Sequence, residues 1–305
     1  VRAPFFNYSR YLKQKYGEKA YRIAVDAGFG CPHRDEGRRA GGCVFCDASG
    51  SRAPYLADIT DMKRQIESAS AFIRRRYGAQ IFLLYFQAFT NTNAPVKTLK
   101  RIYDSGLAVL DFHELIVSTR PDCIDKAKID LLAGYLDQGI DVWVELGLQS
   151  ASNKTLRRIS RGHSRDDFTK AVMMLKSSGI KVAAHVIFGL PGEAESNILD
   201  TIQYTARLGI DGIKIHDLHI PKNAALYSHY LSGELSLPCR ERHLEYCIKA
   251  LELLPPSTVI MRLTCDTRNE ALGFPRRQIN KADFYHVLRR EMIERETFQG
   301  KYFSR

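Results

Sequence analysis

The 305-residue sequence has no run near the roughly 18 apolar residues that a membrane-spanning helix needs. Its first residues, Val1-Arg2-Ala3-Pro4-Phe5-Phe6, lack the apolar core of a secretory signal. The expectation is a cytoplasmic protein with no membrane association. A second cysteine motif is also missing, because Cys123, Cys239, Cys247 and Cys265 are scattered with no C-x-x-C among them. That argues against a second cluster or a zinc ribbon, and all four read as buried, inert thiols. Disulfides are not expected where thiols stay reduced. Acidic residues are in deficit: 34 Asp and Glu face 45 Lys and Arg, a formal charge of +11. The excess favours an anionic partner, RNA first, although short groups such as Arg74-Arg75-Arg76, Arg157-Arg158, Arg276-Arg277 and Arg289-Arg290 also read as solvated helix faces or helix ends. Apolar residues at 45% and charged residues at 26% are ordinary for a packed globular chain and argue against extensive disorder.

From Tyr21 to Leu218, short apolar runs alternate with amphipathic stretches, the pattern of repeated βα units on a parallel sheet. Strands are expected over 22–27, 81–86, 114–119, 142–148, 181–188 and 212–218. Six strands predict an α/β fold built as an open, partial (βα)6 barrel. Over 58–77, Ile59, Met62, Ile66, Ala69 and Ile73 recur at helical spacing, and Phe168, Val172 and Leu175 do so over 165–178. Ser164 followed by Asp167 reads as a capping box, and Gly179 as a helix stop. Beyond Pro221 the alternation lapses into a helix over 240–254, a strand-like 258–263 and a charged helix over 281–296. Residues 1–222 are therefore read as the barrel with its lead-in, and 223–305 as a small α/β C-terminal subregion.

The first strand runs into Gly28-Phe29-Gly30-Cys31-Pro32-His33, followed by Gly41-Gly42-Cys43-Val44-Phe45-Cys46-Asp47. In a parallel α/β sheet, this places the cysteines at the C-terminal mouth where active sites form. Three thiolates at C-x11-C-x2-C spacing can hold three irons of a four-iron cube, whereas electron-transfer clusters usually take four cysteines. The fourth iron could then bind a small molecule. Glycines 28, 30, 41 and 42 would let the loop wrap tightly. By spacing alone a zinc site stays open, with His33 completing a Cys3His set.

Several separated segments resemble the radical S-adenosylmethionine (SAM) superfamily. Val144-Glu145-Leu146-Gly147-Leu148-Gln149-Ser150, with Leu156, Arg161, Gly162 and His163, is similar to a segment of the coproporphyrinogen-dehydrogenase and elongator-catalytic-subunit branches. Val186-Ile187-Phe188-Gly189-Leu190-Pro191-Gly192-Glu193 is similar to their adenine-side strand and turn. The whole chain most resembles the YhcC/YtqA-like group, through Phe86-Gln87-Ala88-Phe89-Thr90-Asn91-Thr92, Ser118-Thr119-Arg120-Pro121-Asp122-Cys123 and Gly212-Ile213-Lys214-Ile215-His216. The resemblance implies a radical SAM-type partial TIM-like barrel. Cys31, Cys43 and Cys46 would hold a [4Fe–4S] cluster whose open iron chelates SAM, and one electron would cleave SAM to a 5′-deoxyadenosyl radical. Phe45 would lie beside the adenine. Ala88, Phe89 and Thr90 stand where the superfamily has a glycine-rich turn for the methionine amino group. Gln149 would contact the ribose and Arg161 the SAM carboxylate, while Gly189 and Gly192 would admit the adenine. Ser118 and His185 replace the Glu and Asp of the porphyrinogen branch.

Strand alternation turns Lys214 and His216 towards the barrel interior and puts Glu145 on one face with Gln149. Buried charges need a partner or a task, so Arg120, Glu145, Lys214 and His216 become candidates to grip a polar substrate, with a salt-bridged core as the alternative. His219 and Arg262 are weaker candidates. The resemblance implies transfer RNA as substrate, its wobble uridine processed from carboxymethylaminomethyl towards aminomethyl, with Arg120 or Lys214 holding the carboxylate. It also implies a reductant such as flavodoxin or ferredoxin, and a downstream methyltransferase as a possible further partner. A radical SAM oxidase of a small metabolite or tetrapyrrole, and a zinc-bound RNA-binding module, remain open alternatives.

Overall fold

The computed structural model describes residues 3–35, 42–46, 52–56, 59–265, 272–274 and 280–304; Gly41, Asp47, Arg276 and Arg277 lie outside them. A helix, α1 (Tyr8–Tyr16), leads into six strands at the expected places: β1 (Ala20–Val25), β2 (Ile81–Phe86), β3 (Phe112–Thr119), β4 (Asp141–Gln149), β5 (Lys181–Phe188) and β6 (Gly212–Asp217). Each pairs in parallel with the next. The crossovers carry α2 (Pro32–Asp35), α3 (Met62–Tyr77), α4 (Val96–Leu107), α5 (Lys126–Leu136), α6 (Asn153–Arg158), α7 (Arg165–Ser177) and α8 (Glu195–Arg207). Among the described residues β1 and the far edge do not pair, so the sheet is an open half-barrel.

Alternation along the strands creates two separate cores. Phe82, Leu84, Phe86, Leu115, Val117, Val144 and Ile213 face the helices. Leu83, Tyr85, Ile116, Trp143 and Ala183 face inward, where Leu12 of α1 closes the N-terminal end. Tyr11 meets Trp143 edge-on at 5.7 Å between ring centroids. Each such fully buried side chain contributes about 1.5–3 kcal/mol, so the outer core alone fixes helices to sheet. The strand β2 is buried at every position, because a strand covered on both faces needs no polar side.

The capping box at Ser164 and Asp167 is present at the start of α7, and Gly179 follows that helix at φ +76°. The helix expected from residue 58 starts instead at Met62, where the Asp61 carboxylate caps the Arg64 N–H. Beyond β6 come β7 (Ile220–Pro221), α9 (Leu226–Leu231), α10 (Arg240–Leu253), β8 (Val259–Arg262), β9 (Leu272–Phe274) and α11 (Lys281–Glu294). The strand expected over 258–263 does not stand apart. As β8 it pairs in parallel with β6 and becomes the seventh strand of the same sheet, covering an edge that would otherwise expose unpaired backbone.

Candidate active site

The cysteine segment leaves the C-terminal end of β1, with Cys43 buried and Cys31 and Cys46 half-buried. Its neighbours hold it through the backbone. The Thr90 N–H donates to the Gly30 carbonyl at 3.3 Å, Val44 N–H to Ile159 O at 3.2 Å, and Leu226 N–H to Val44 O at 3.0 Å. The Arg161 Nη1 donates to Cys43 Sγ at 3.6 Å, and its Nη2 donates to the Gly147 carbonyl at 2.8 Å. Arg120 forks onto both carboxylate oxygens of Asp122 at 3.0 and 2.9 Å and also donates to the Arg161 carbonyl. Both guanidinium groups are buried. Among the described residues, Nη1 of Arg120 and Nε of Arg161 have no partner. His33, which could have completed a zinc site, lays its ring against Gly162.

Two residues carry backbone strain here. Phe89 and Gln149 sit at φ +60° and +74°, beyond the C-terminal end of β2 and at that of β4, and non-glycine residues hold such angles only where the surroundings enforce them. At Gln149 a bulge against β5 breaks the register, so a buried Gln149 stays at the mouth. Sequence reasoning did not single out Gly147, which leaves room for the Arg161 and Gln149 side chains. A Cβ there would lie 2.3 Å from Arg161 Nη2 and 2.8 Å from Gln149 Nε2. The signal was present: a glycine inside a strand marks a close approach.

The adenine-side expectations fall in one region. Phe45 packs with Leu156, Ile187, Leu190 and Leu218. Gly189 and Gly192 adopt φ +89° and +74°, but the space a Cβ would take is filled by Pro238 at the first and Arg158 at the second. Their need for glycine therefore already follows from protein packing. Ala88 and Thr90 are buried in the turn after β2, and the Ser118 carbonyl accepts from the Asn91 side chain at 2.9 Å.

Below the mouth, the interior faces of the strands form a polar floor. Glu145 is fully buried and accepts from Arg22 Nη1 at 2.8 Å, Tyr85 OH at 2.7 Å, His185 Nε2 at 2.8 Å and Lys214 Nζ at 2.5 Å. Burial opposes its ionisation, but the charges of Lys214 and Arg22 outweigh this and hold the carboxyl well below the usual range. Burial pushes His185 down to about 4 and His216 well below its ordinary value, Arg262 adding to the latter effect. Lys214 and His216 do face inward, as alternation predicted. Arg120 instead joins the cysteine side, and His185 belongs to the Glu145 network.

The remaining cysteines divide. Cys123 and Cys247 are buried, and burial raises both thiols, that of Cys123 to about 11. Cys265 is buried but lies 3.3 Å from His219 Nδ1. Cys239 is exposed, contrary to the expectation that all four are buried, because it is the residue preceding α10. A hollow lined by Phe6, Tyr11, Trp143, Lys181 and Val259 opens at the N-terminal rim, away from the cysteines. It is the seam between α1 and the sheet.

Comparison with known proteins decides the class. The profile of the radical SAM superfamily matches residues 27–205, and that of the radical SAM C-terminal domain matches 210–294. The chain belongs to the radical SAM superfamily. It is 34% identical over 296 residues to the uncharacterized protein YtqA of Bacillus subtilis, covering 97% of this chain and 91% of that one. A tRNA uridine(34) acetyltransferase of Methanocaldococcus infernus is 32% identical over 144 residues, 46% of this chain and 26% of that protein. Among solved structures, Elp3 of Methanocaldococcus infernus lacking residues 1–46 superposes with a TM-score of 0.72 at 19% identity, over 92% of this chain and 64% of that chain; this likeness is one of fold.

Radical SAM proteins use a [4Fe–4S] cluster and SAM, and the donor set fits them. Thiol ligands to an iron cube are anionic, and two buried guanidinium groups with unpartnered nitrogens supply the countercharge and leave donors for a carboxylate. Cys31, Cys43 and Cys46 would hold the cluster. Arg161, Gln149 and Phe45 would line SAM.

Proposed function

We propose that this radical SAM enzyme processes the wobble uridine of tRNA, converting its carboxymethylaminomethyl arm to aminomethyl by breaking the bond between the amine nitrogen and the carboxymethyl carbon, with SAM as the oxidant, water hydrolysing the oxidised C–N bond and the two-carbon unit leaving as its aldehyde acid. When bound, the cluster and SAM supply a 5′-deoxyadenosyl radical, the hydrogen-abstracting agent of such chemistry. The protein's own part is to bind and orient. Arg161 and Gln149 would fix the SAM carboxylate and ribose, Phe45 would flank the adenine, and the polar floor around Glu145 and Lys214 would face the uridine arm.

The observation that carries this reading is the relationship over 144 residues to a tRNA uridine(34) acetyltransferase. The +11 charge supports it, because phosphate contacts supply most non-specific affinity for RNA, and a loop nucleotide can be splayed into a protein pocket. The reading brings with it a low-potential one-electron reductant such as flavodoxin or ferredoxin, a methyltransferase acting next on the aminomethyl product, and a cytoplasmic setting. No described helix is long and apolar enough to cross a membrane.

The test is anaerobic incubation of cluster-loaded protein with SAM, reductant and bulk tRNA, followed by nucleoside mass spectrometry. Loss of carboxymethylaminomethyluridine with gain of aminomethyluridine is expected. An unchanged wobble profile while 5′-deoxyadenosine accumulates would reject the RNA substrate and leave the enzyme class intact.

A further inference from the structure

The floor of the half-barrel has more positive charge than its acid can neutralise. Arg22 from β1, Lys214 from β6 and Arg262 from β8 converge there, and among the described residues the carboxylate in their midst is Glu145. Glu145 is already engaged by Arg22, Tyr85, His185 and Lys214. Arg262 arrives through a bulge: Ile213 pairs with Ile260, but Lys214 pairs with Arg262. The extra residue turns both Met261 and Arg262 to the interior, and Met261 Sδ indeed meets Arg22 Nη2 at 3.6 Å. The charge of Arg262 is felt by Tyr85, Lys214, His185 and His216.

Among the described residues, half-buried Arg262 has neither a hydrogen bond nor a carboxylate partner. His216, two residues further up β6 towards the mouth, likewise has no hydrogen bond. Its ring lies 5.6 Å from that of His185. A cation held among like charges in a partly dry site is unfavourable unless an anion joins it.

We propose that Arg262, with His216 above it, is the seat for a substrate carboxylate inside the half-barrel. Identifying that carboxylate with the carboxymethylaminomethyl arm rests on the tRNA reading; the seat itself does not. Of the two cations first expected to hold the carboxylate, Arg120 lies on the cysteine side, forked onto Asp122 and bonded to the Arg161 carbonyl, and Lys214 is held by Glu145. A guanidinium fork also matches a carboxylate in two parallel bonds where an ammonium does not.

The experiment measures thermal unfolding of cluster-loaded wild type, Arg262→Gln and Arg262→Lys in malonate, inorganic phosphate or chloride at equal ionic strength. Malonate should raise the wild-type midpoint by roughly 2–4 °C relative to chloride through mass action, Arg262→Lys by less, and Arg262→Gln not at all. Without malonate, Arg262→Gln should melt no lower than wild type, since it removes an uncompensated cation. Equal malonate shifts in wild type and Arg262→Gln would overturn the proposal, as would protection by phosphate alone. A midpoint lowered by several degrees in Arg262→Gln without any anion would assign the side chain to the fold and also overturn it. The same variants, given tRNA carrying the carboxymethylaminomethyl arm, read the second question. Conversion should fall about 100-fold in Arg262→Gln, the size expected for losing a charge-assisted pair. Wild type that leaves this tRNA unchanged, yet shows malonate protection that depends on Arg262, supports the seat and rejects the wobble-uridine reading.

Discussion

At the scale of single residues, the site depends on one missing methyl group. Gly147 leaves room for Arg161 Nη2 and Gln149 Nε2 to lie across the β4 backbone, so Gly147→Ala must displace one of them. A charge-assisted hydrogen bond contributes roughly 1.5–3 kcal/mol, so SAM affinity is expected to fall about 10- to 100-fold while the fold persists. Equilibrium dialysis of SAM against cluster-loaded protein measures this, and wild-type affinity would restrict Arg161 to a role in packing. His185 makes a prediction in pH. Burial lowers it to about 4, whereas an unfolded histidine titrates near ~6.5. Between those values the unfolded chain takes up the proton and the folded chain does not, so stability falls as pH drops from about 6.5 to about 4, by roughly 2 kcal/mol at pH 5 from this group. Glu145, held low, adds its loss only as pH falls through the carboxylate range. Urea denaturation at pH 7 and pH 5 should show the decline, and His185→Gln should reduce it by about this amount, the rest coming from other histidines that burial lowers, His216 and His163 among them. The cysteines stood out by residue type and spacing, whereas Gln149 and Arg161 were singled out by resemblance; the structure brings Arg161 to Cys43 and holds Gln149 at the end of β4. Gly147 was passed over because what it makes room for comes from another segment.

At the scale of elements, Arg161 is set by a short device: α6, capped by the Ser152 side chain, ends in a turn with Ser160 at φ +52° and Gly162 at φ +79°. The His33 ring occupies the place a Gly162 Cβ would need, so this turn and the cysteine loop dock face to face. Gly162→Ala is therefore expected to push the cysteine loop off its seat, lowering iron content after reconstitution several-fold while leaving far-ultraviolet circular dichroism unchanged. Full iron loading in that variant would show that the loop folds around the cluster without α6. Strands and their inward residues were readable from alternation alone, because period two is written in the chain. Bulges were not: the irregularities that keep Gln149 at the mouth and turn Arg262 inward arise from pairing with a neighbouring strand.

At the scale of the whole molecule, the C-terminal residues complete the sheet. Pairing of β8 with β6 is joined by α10 packing across α8, by Lys249 bonding Glu195, and by the Ile260 N–H donating to the Phe6 carbonyl at 2.8 Å. A chain ending at residue 222 would expose Ile202, Ile213 and the β6 edge, and is expected to aggregate and not to unfold cooperatively. Size-exclusion chromatography with urea titration tests this, and a monomeric, cooperative fragment would establish residues 223–305 as a separate unit. The sequence by itself determined the parallel α/β architecture and the faces of the strands, since hydrophobic period is a local property of a chain; thiol spacing narrowed the chemistry to iron–sulfur or zinc, and the resemblance of several separated segments supplied the class. Tertiary structure alone decided which charges neutralise one another. Arg120 went to Asp122, Lys214 to Glu145, and Arg262 was left with no carboxylate among the described residues, because electrostatic partners are chosen by distance across the sheet and not by separation along the chain.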